Sequence, residues 1–121
     1  MTNTLAMRIA ALLGALTVGL GAFGAHSLKS ILLRNDTAAI WDKAVFYQFA
    51  HVLMLFLLAG HQPLPKGPWF CFLTGIILFS GSLYVLAVTN TRWLGAITPL
   101  GGVSFIAGWL WLTFSIGRPA S

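Results

Sequence analysis

The chain has 121 residues, of which 58% are hydrophobic and only 7% charged, with a formal net charge of +5. A small globule leaves much of its surface in water, so a soluble domain of this size cannot hide so much apolar surface. Seven basic residues against two acidic ones, confined almost wholly to links and tails, suit anionic lipid head groups; without a basic helix or continuous basic strip, nucleic acid is not an expected partner.

Four apolar stretches occur at residues 5–25, 44–60, 69–88 and 94–116. The first carries one charge, Arg8, close enough to its start for the long side chain to snorkel to the interface. A basic residue, an apolar core and then small residues at Ala22 and Gly24 also fit a signal peptide. Against that reading, Ala11, Ala15 and Gly19 form a stripe at i, i+4, i+8, which lets helices approach closely in lipid. A retained helix over 5–25 is expected.

The first link, 27–43, is the longest. Leu28, Ile31 and Leu32 share a helical face, with Lys29, Ser30 and Arg34 available to water. This predicts a short amphipathic helix on the membrane surface. Asn35-Asp36-Thr37 reads as the start of the second helix, over 37–60, with Asp36 or Thr37 as N-cap and Trp41 at the interface.

Residues 61–68 carry three prolines and predict a tight turn. Trp69 and Trp93 are expected to anchor the third and fourth helices, over 69–88 and 94–116. The link between those helices is so short that they must run antiparallel. The runs are continuous, not alternating, which excludes a transmembrane β-barrel. Backbone groups must be paired inside a bilayer, so the segments are helices. The expected fold is therefore a single all-α membrane domain over 1–121: four transmembrane helices in a compact antiparallel bundle.

Alternating spans bring the unusual polar residues to one leaflet. His26 closes the first helix. Tyr47, Gln48 and His51 can share a face early in the second. Ser80, Ser82 and Tyr84 lie late in the third, and Thr98 early in the fourth. Pro99 predicts irregular backbone there: either it frees the carbonyl of Gly95 in a continuous helix, or the helix begins at Pro99 with Thr98 as N-cap. After it, Gly101, Ser104 and Gly108 form a second close-packing stripe.

These eight polar residues read either as a pocket or as hydrogen-bonding glue between helices. A proton relay lacks acids within the spans, since Asp36 and Asp42 belong to the link and the helix entrance. A two-histidine haem or metal site from His26 and His51 is geometrically possible, but without CxxCH or an acidic co-ligand no cofactor or metal is expected. Ser80 and Ser82 lack a nucleophile elbow and an orienting acid, so no catalytic residue is assigned and a non-enzyme is expected. Basic residues split four to three between the two sides; the flanks of the first helix favour both termini outside.

Gly21-Ala22-Phe23-Gly24-Ala25-His26, Tyr47-Gln48-x-x-His51, Phe79-Ser80-Gly81-Ser82-Leu83-Tyr84 and the run from Arg92-Trp93-Leu94-Gly95 through Ala96-Ile97-Thr98-Pro99-Leu100-Gly101-Gly102 occur in that order. Together they resemble the family called domain of unknown function 423, which includes small bacterial inner-membrane proteins and the animal transmembrane protein 256. The resemblance covers almost the whole chain. It implies a four-helix protein of the bacterial inner membrane and brings no particular activity with it. The expectation is a non-enzymatic accessory or self-associating subunit, in contact with membrane lipids and forming a homo-oligomer or part of a larger complex. The alternative is a protein that binds or transports a lipid, quinone or small amphiphile in the polar pocket.

Overall fold

A computed structural model describes residues 1–118. Helix α1 (Asn3–Ala25) is followed by the short α2 (Lys29–Asn35) and by α3 (Ala38–Ala59). The third span is built from α4 (Lys66–Gly75), a π-helical segment (Ile76–Ser80) and α5 (Gly81–Thr89). A 3-10 turn (Arg92–Ala96) leads into α6 (Thr98–Ser115). Four helical stretches, Asn3–Ala25, Ala38–Ala59, Lys66–Thr89 and Arg92–Ser115, are long and apolar enough to cross a membrane. At about 1.5 Å rise per residue each exceeds the hydrocarbon thickness of a bilayer. The protein is a multi-pass, four-helix membrane protein.

The helices are not equivalent. α1 packs on α3, α3 on the third span, and the third span on α6. α3 and the third span therefore form the middle of the bundle, with α1 and α6 on its flanks. Burial follows this order: 17% of the apolar window of the first span is buried, against 39% and 44% in the two middle spans and 22% in the last.

Some expected element boundaries move. Asp36 does not open a helix; it closes α2 in the left-handed conformation (φ 55°), one of the few places where a short polar residue replaces glycine. Thr37 holds the N-cap position of α3 without capping it, because its hydroxyl donates instead to the Ala87 carbonyl at 2.7 Å. The third span begins at Lys66, with Pro68 in the first turn, where a missing N–H leaves no intrahelical bond unmade. The irregular backbone expected around Pro99 is the 3-10 turn. Pro99 sits in the first turn of α6, but Thr98 is not its cap: the Thr98 hydroxyl points back to the Leu94 carbonyl at 3.4 Å.

The tryptophans divide. Trp93 is exposed, as an interfacial anchor should be. Trp41 and Trp69, in the first turns of their helices, are buried and face the bundle rather than lipid. A buried indole needs an acceptor for its N–H; Trp41 Nε1 donates to the Leu20 carbonyl at 2.9 Å and Trp69 Nε1 to the Leu55 carbonyl at 3.1 Å. The amphipathic α2 is present, with Leu32 buried beside Trp41 and Ala87.

The two small-residue stripes part company. Gly101 and Gly108 are buried, and Ser104 donates to the Cys71 carbonyl at 2.7 Å. A Cβ on Gly101 would run into the Phe79 backbone, and one on Gly108 would lie 2.6 Å from the Phe72 ring. This stripe packs α6 on the third span within one chain. The α1 stripe faces away: Ala11 and Ala15 are exposed, and nothing lies within 4 Å of a Cβ built on Gly19. The buried face of α1 is Ala6, Ala10 and Thr17 instead.

A prediction separates the stripes. Gly101→Ala must push backbone away from backbone and should destabilise the bundle by about 1–3 kcal/mol. Gly19→Ala should be within about 0.5 kcal/mol of neutral. Unfolding by denaturing detergent, followed by circular dichroism, measures both.

Candidate functional site

The polar residues singled out from the sequence do not gather around one space. His26 stands apart. It is the exposed C-cap of α1, its backbone N–H bonded to the Ala22 and Phe23 carbonyls. The others, apart from Tyr47, fall into four small groups, each closing a seam between helices.

The first group joins α1, α3 and α5. Tyr84 donates its hydroxyl to Gln48 Oε1 at 2.5 Å, and Gln48 Nε2 reaches the Leu13 carbonyl at a long 3.5 Å. The Tyr84 ring also lies against the Trp41 indole, centroids 4.7 Å apart. In the second group, the fully buried Ser80 donates from the π segment to the Ala44 carbonyl of α3 at 2.8 Å. In the third, Ser82 and Thr98 pair their hydroxyls at 2.7 Å across α5 and α6.

The fourth group centres on His51. Its Nδ1 lies 2.8 Å from the Tyr47 carbonyl, and its Nε2 accepts from Trp109 Nε1 at 3.1 Å. An indole N–H only donates, so Nε2 must be the unprotonated nitrogen and Nδ1 carries the hydrogen to the carbonyl. Both nitrogens are occupied in a neutral imidazole. The ring stacks on Phe105, centroids 3.7 Å apart and 13° between planes, with Phe72 and Trp109 at 5.3 and 5.9 Å. His51 is not early in its helix. It lies about 20 Å along α3 from Ala38, past the middle of the span. The expectation that all eight residues share one leaflet is corrected here: His51 sits near mid-bilayer. It follows that His26, at the end of α1, and His51 lie at different depths and cannot share a haem or metal.

Tyr47 lies on the outside. It is 37% exposed and rests its ring on Phe79, centroids 4.5 Å apart, with its hydroxyl outside the network. Among the described residues, no buried side-chain nitrogen or oxygen lacks a hydrogen-bond partner. The buried polar atoms of the cluster are therefore all spent within the described residues.

Sequence reasoning missed the tryptophan donors, above all Trp109, whose N–H completes His51. It also missed the stitch between the first and third links. There Asn35 Nδ2 donates to the Ala87 and Val88 carbonyls, each at 3.1 Å, and Arg92 returns a bond to the Asn35 carbonyl at 2.8 Å. The only usable signal was composition: a buried Trp or Asn must find an acceptor.

Two open concavities lie at the other end of the molecule. One of about 520 Å³ is an open groove along α4 and α6, lined by Phe70, Cys71, Thr74, Ser104 and Trp111. The second, about 940 Å³, lies under the α3–α4 link and the end of α6. Lys66, Gly67 and Trp111 line both.

A double-mutant cycle on Gln48→Leu and Tyr84→Phe reports what the cluster contributes. The expected coupling is about 0.6–2 kcal/mol, the range for interhelical hydrogen bonds in membranes. Detergent-unfolding free energies of the four species give the number; a coupling of zero refutes the bond as a structural tie.

The family described as protein of unknown function (DUF423) matches residues 20–102. A UPF0382 membrane protein of Staphylococcus haemolyticus is 47% identical over 118 residues, covering 90% of this chain and 95% of the relative. The UPF0382 membrane protein YwdK of Bacillus subtilis is 44% identical over 115 residues, 86% of this chain and 92% of the relative. The UPF0382 inner membrane protein YgdD of Escherichia coli is 40% identical over 114 residues, 90% and 86%. No solved structure matches.

Proposed function

The chain belongs to the family described as protein of unknown function (DUF423), and from that premise we propose that it is a non-enzymatic accessory protein of the bacterial inner membrane that associates with another transmembrane helix through α1. One observation carries this reading. The Ala11–Ala15–Gly19 stripe is a surface for close helix approach, and among the described residues none packs over it: Ala11 and Ala15 are exposed and a Cβ on Gly19 would meet nothing within 4 Å. In lipid, helices associate by tight van der Waals contact rather than by hydrophobic burial, so small residues mark the face where a second backbone can come near. α1 is also the least buried span.

The polar cluster supports the same reading from the other direction. Its groups spend their hydrogen-bonding capacity on one another and on helix carbonyls, and so hold the bundle together. A binding or catalytic role for them would need a free polar atom directed into open space. The partner that best fits the α1 face is a second copy of the chain, since a stripe of small residues is complementary to itself.

The relative named as an inner membrane protein supports the proposed location. So do the four membrane-competent helices.

Native mass spectrometry from lipid nanodiscs tests the association. Wild type should release dimers or a defined complex. Ala11→Leu with Ala15→Leu should weaken it by about tenfold, because larger side chains hold the backbones apart at a cost of about 1.4 kcal/mol or more. These exposed substitutions should leave helix content and unfolding unchanged. A strictly monomeric wild type without co-purifying partner would defeat the proposal.

A further inference from the structure

The two ends of the bundle differ in charge and shape. The end that carries the first and third links holds Lys29, Arg34 and Arg92, Lys43 early in α3, and both side-chain carboxylates, Asp36 at the end of α2 and Asp42 early in α3. The opposite end holds Arg8, Lys66 and Arg118 and no acidic side chain. That second end also carries two open concavities. Lys66 and Arg118 line the cavity of about 940 Å³, together with His61, Gln62 and the polar backbone of the α3–α4 link. Lys66 also lines the adjoining groove of about 520 Å³, whose walls run along α4 and α6 through Phe70, Thr74 and Trp111.

We propose that this end is a binding site for an anionic phospholipid, its phosphate held between Lys66 and Arg118 and one acyl chain lying in the groove beside Phe70 and Trp111. Each part of the occupant has a matching part in the site. The two cations stand where the span meets the head-group region, and no side-chain carboxylate at that end competes for them. Both are exposed, so their charge is free to meet a head group. α4 begins at Lys66 without a side-chain cap, which turns the positive end of its dipole toward the same place. The groove leads from this polar mouth down the apolar face of the third span, the direction an acyl chain takes in a bilayer. Gly67 keeps the passage narrow at its top: a Cβ there would collide with the Trp111 ring, so Trp111 lies directly over the first turn of α4. The surrounding bilayer supplies the ligand at high concentration, and charge gives the preference for one head group over another.

The site is separate from the α1 face and does not depend on association there. The proposal is tested by native mass spectrometry of the full chain, released from nanodiscs of equal phosphatidylglycerol and phosphatidylcholine. Wild type should retain one phosphatidylglycerol per chain in preference to phosphatidylcholine. Lys66→Gln with Arg118→Gln should lower that preference by roughly 30-fold, about fivefold for each cation near an anionic head group. Both positions are exposed, so the fold should persist, as circular dichroism checks. Lys29→Gln with Arg34→Gln, at the other end, should leave the retained lipid unchanged. Equal retention of the two lipids by wild type would overturn the proposal. So would an equal loss in the Lys29/Arg34 variant, which would mean general attraction to a basic protein. Displacement of phosphatidylglycerol by a second copy of the chain would assign the surface to self-association instead.

Discussion

A polar group inside a bilayer has no water to turn to, and the cost of leaving it unpaired is several kcal/mol. This chain meets the constraint in one recurrent way. A side chain on one helix donates to a carbonyl on the next: Trp41 to Leu20, Ser80 to Ala44, Trp69 to Leu55 and Ser104 to Cys71. A helical carbonyl already accepts one bond from its own helix, but it has a second lone pair. The donors therefore tie helices together without breaking the ladders that make them helices. Where two side chains pair instead, as in Tyr84–Gln48, Ser82–Thr98 and Trp109–His51, the donor and acceptor again come from different spans. Each such bond contributes little, but together they occur at every major seam.

The same constraint explains the central place of α3. It receives bonds from the third span through Ser80, Tyr84 and Trp69 and from α6 through Trp109, while its own Trp41 and Gln48 donate to α1. Close packing supplements these ties where the backbones come nearest. Gly101 permits contact with the Phe79 backbone inside the π-helical segment, and Gly24 lies so near Trp41 that any Cβ would overlap the indole. π segments place an extra residue in a turn and change which side chains face inward. Here Phe79 and Ser80 belong to that segment; Ser80 is turned into the bundle toward α3, and Phe79 packs between Tyr47 and Phe105.

Span number and helical state were legible in the sequence because hydrophobic run length reports them directly, whatever the helices pack against. Facing was not legible, because it depends on neighbours. Trp41 and Trp69 sit near span ends just as Trp93 does, yet they turn inward and it turns outward. Ala11–Ala15–Gly19 and Gly101–Ser104–Gly108 are the same kind of pattern, yet one is bare and the other packs closely on the third span. Thr37 has the chemistry of an N-cap, but a carbonyl on α5 lies within its reach and takes the hydroxyl. His51 lies past the middle of α3, and its partner Trp109 is far away in sequence, so nothing local points to the bond between them. Local preference sets what each residue can do, and tertiary neighbours choose among those options.

The opposing ends of the bundle then acquire different characters from one cause. At the first and third links, polar side chains have found partners within the chain: Asn35 and Thr37 bond to the end of α5, and Arg92 bonds back to Asn35. This end is closed by its own hydrogen bonds. At the other end Asn3 ties α1 to the Ala59 and His61 carbonyls, but the proline-rich link has few N–H groups to offer and no acidic side chain is within reach of Lys66 or Arg118. Among the described residues, no acidic side chain stands at that end to neutralise them. A membrane protein of this size has little extramembrane surface on which to place such charges, so they necessarily stand at the level of the head groups. One end is closed by internal hydrogen bonds, and the other carries concavities beside Lys66 and Arg118.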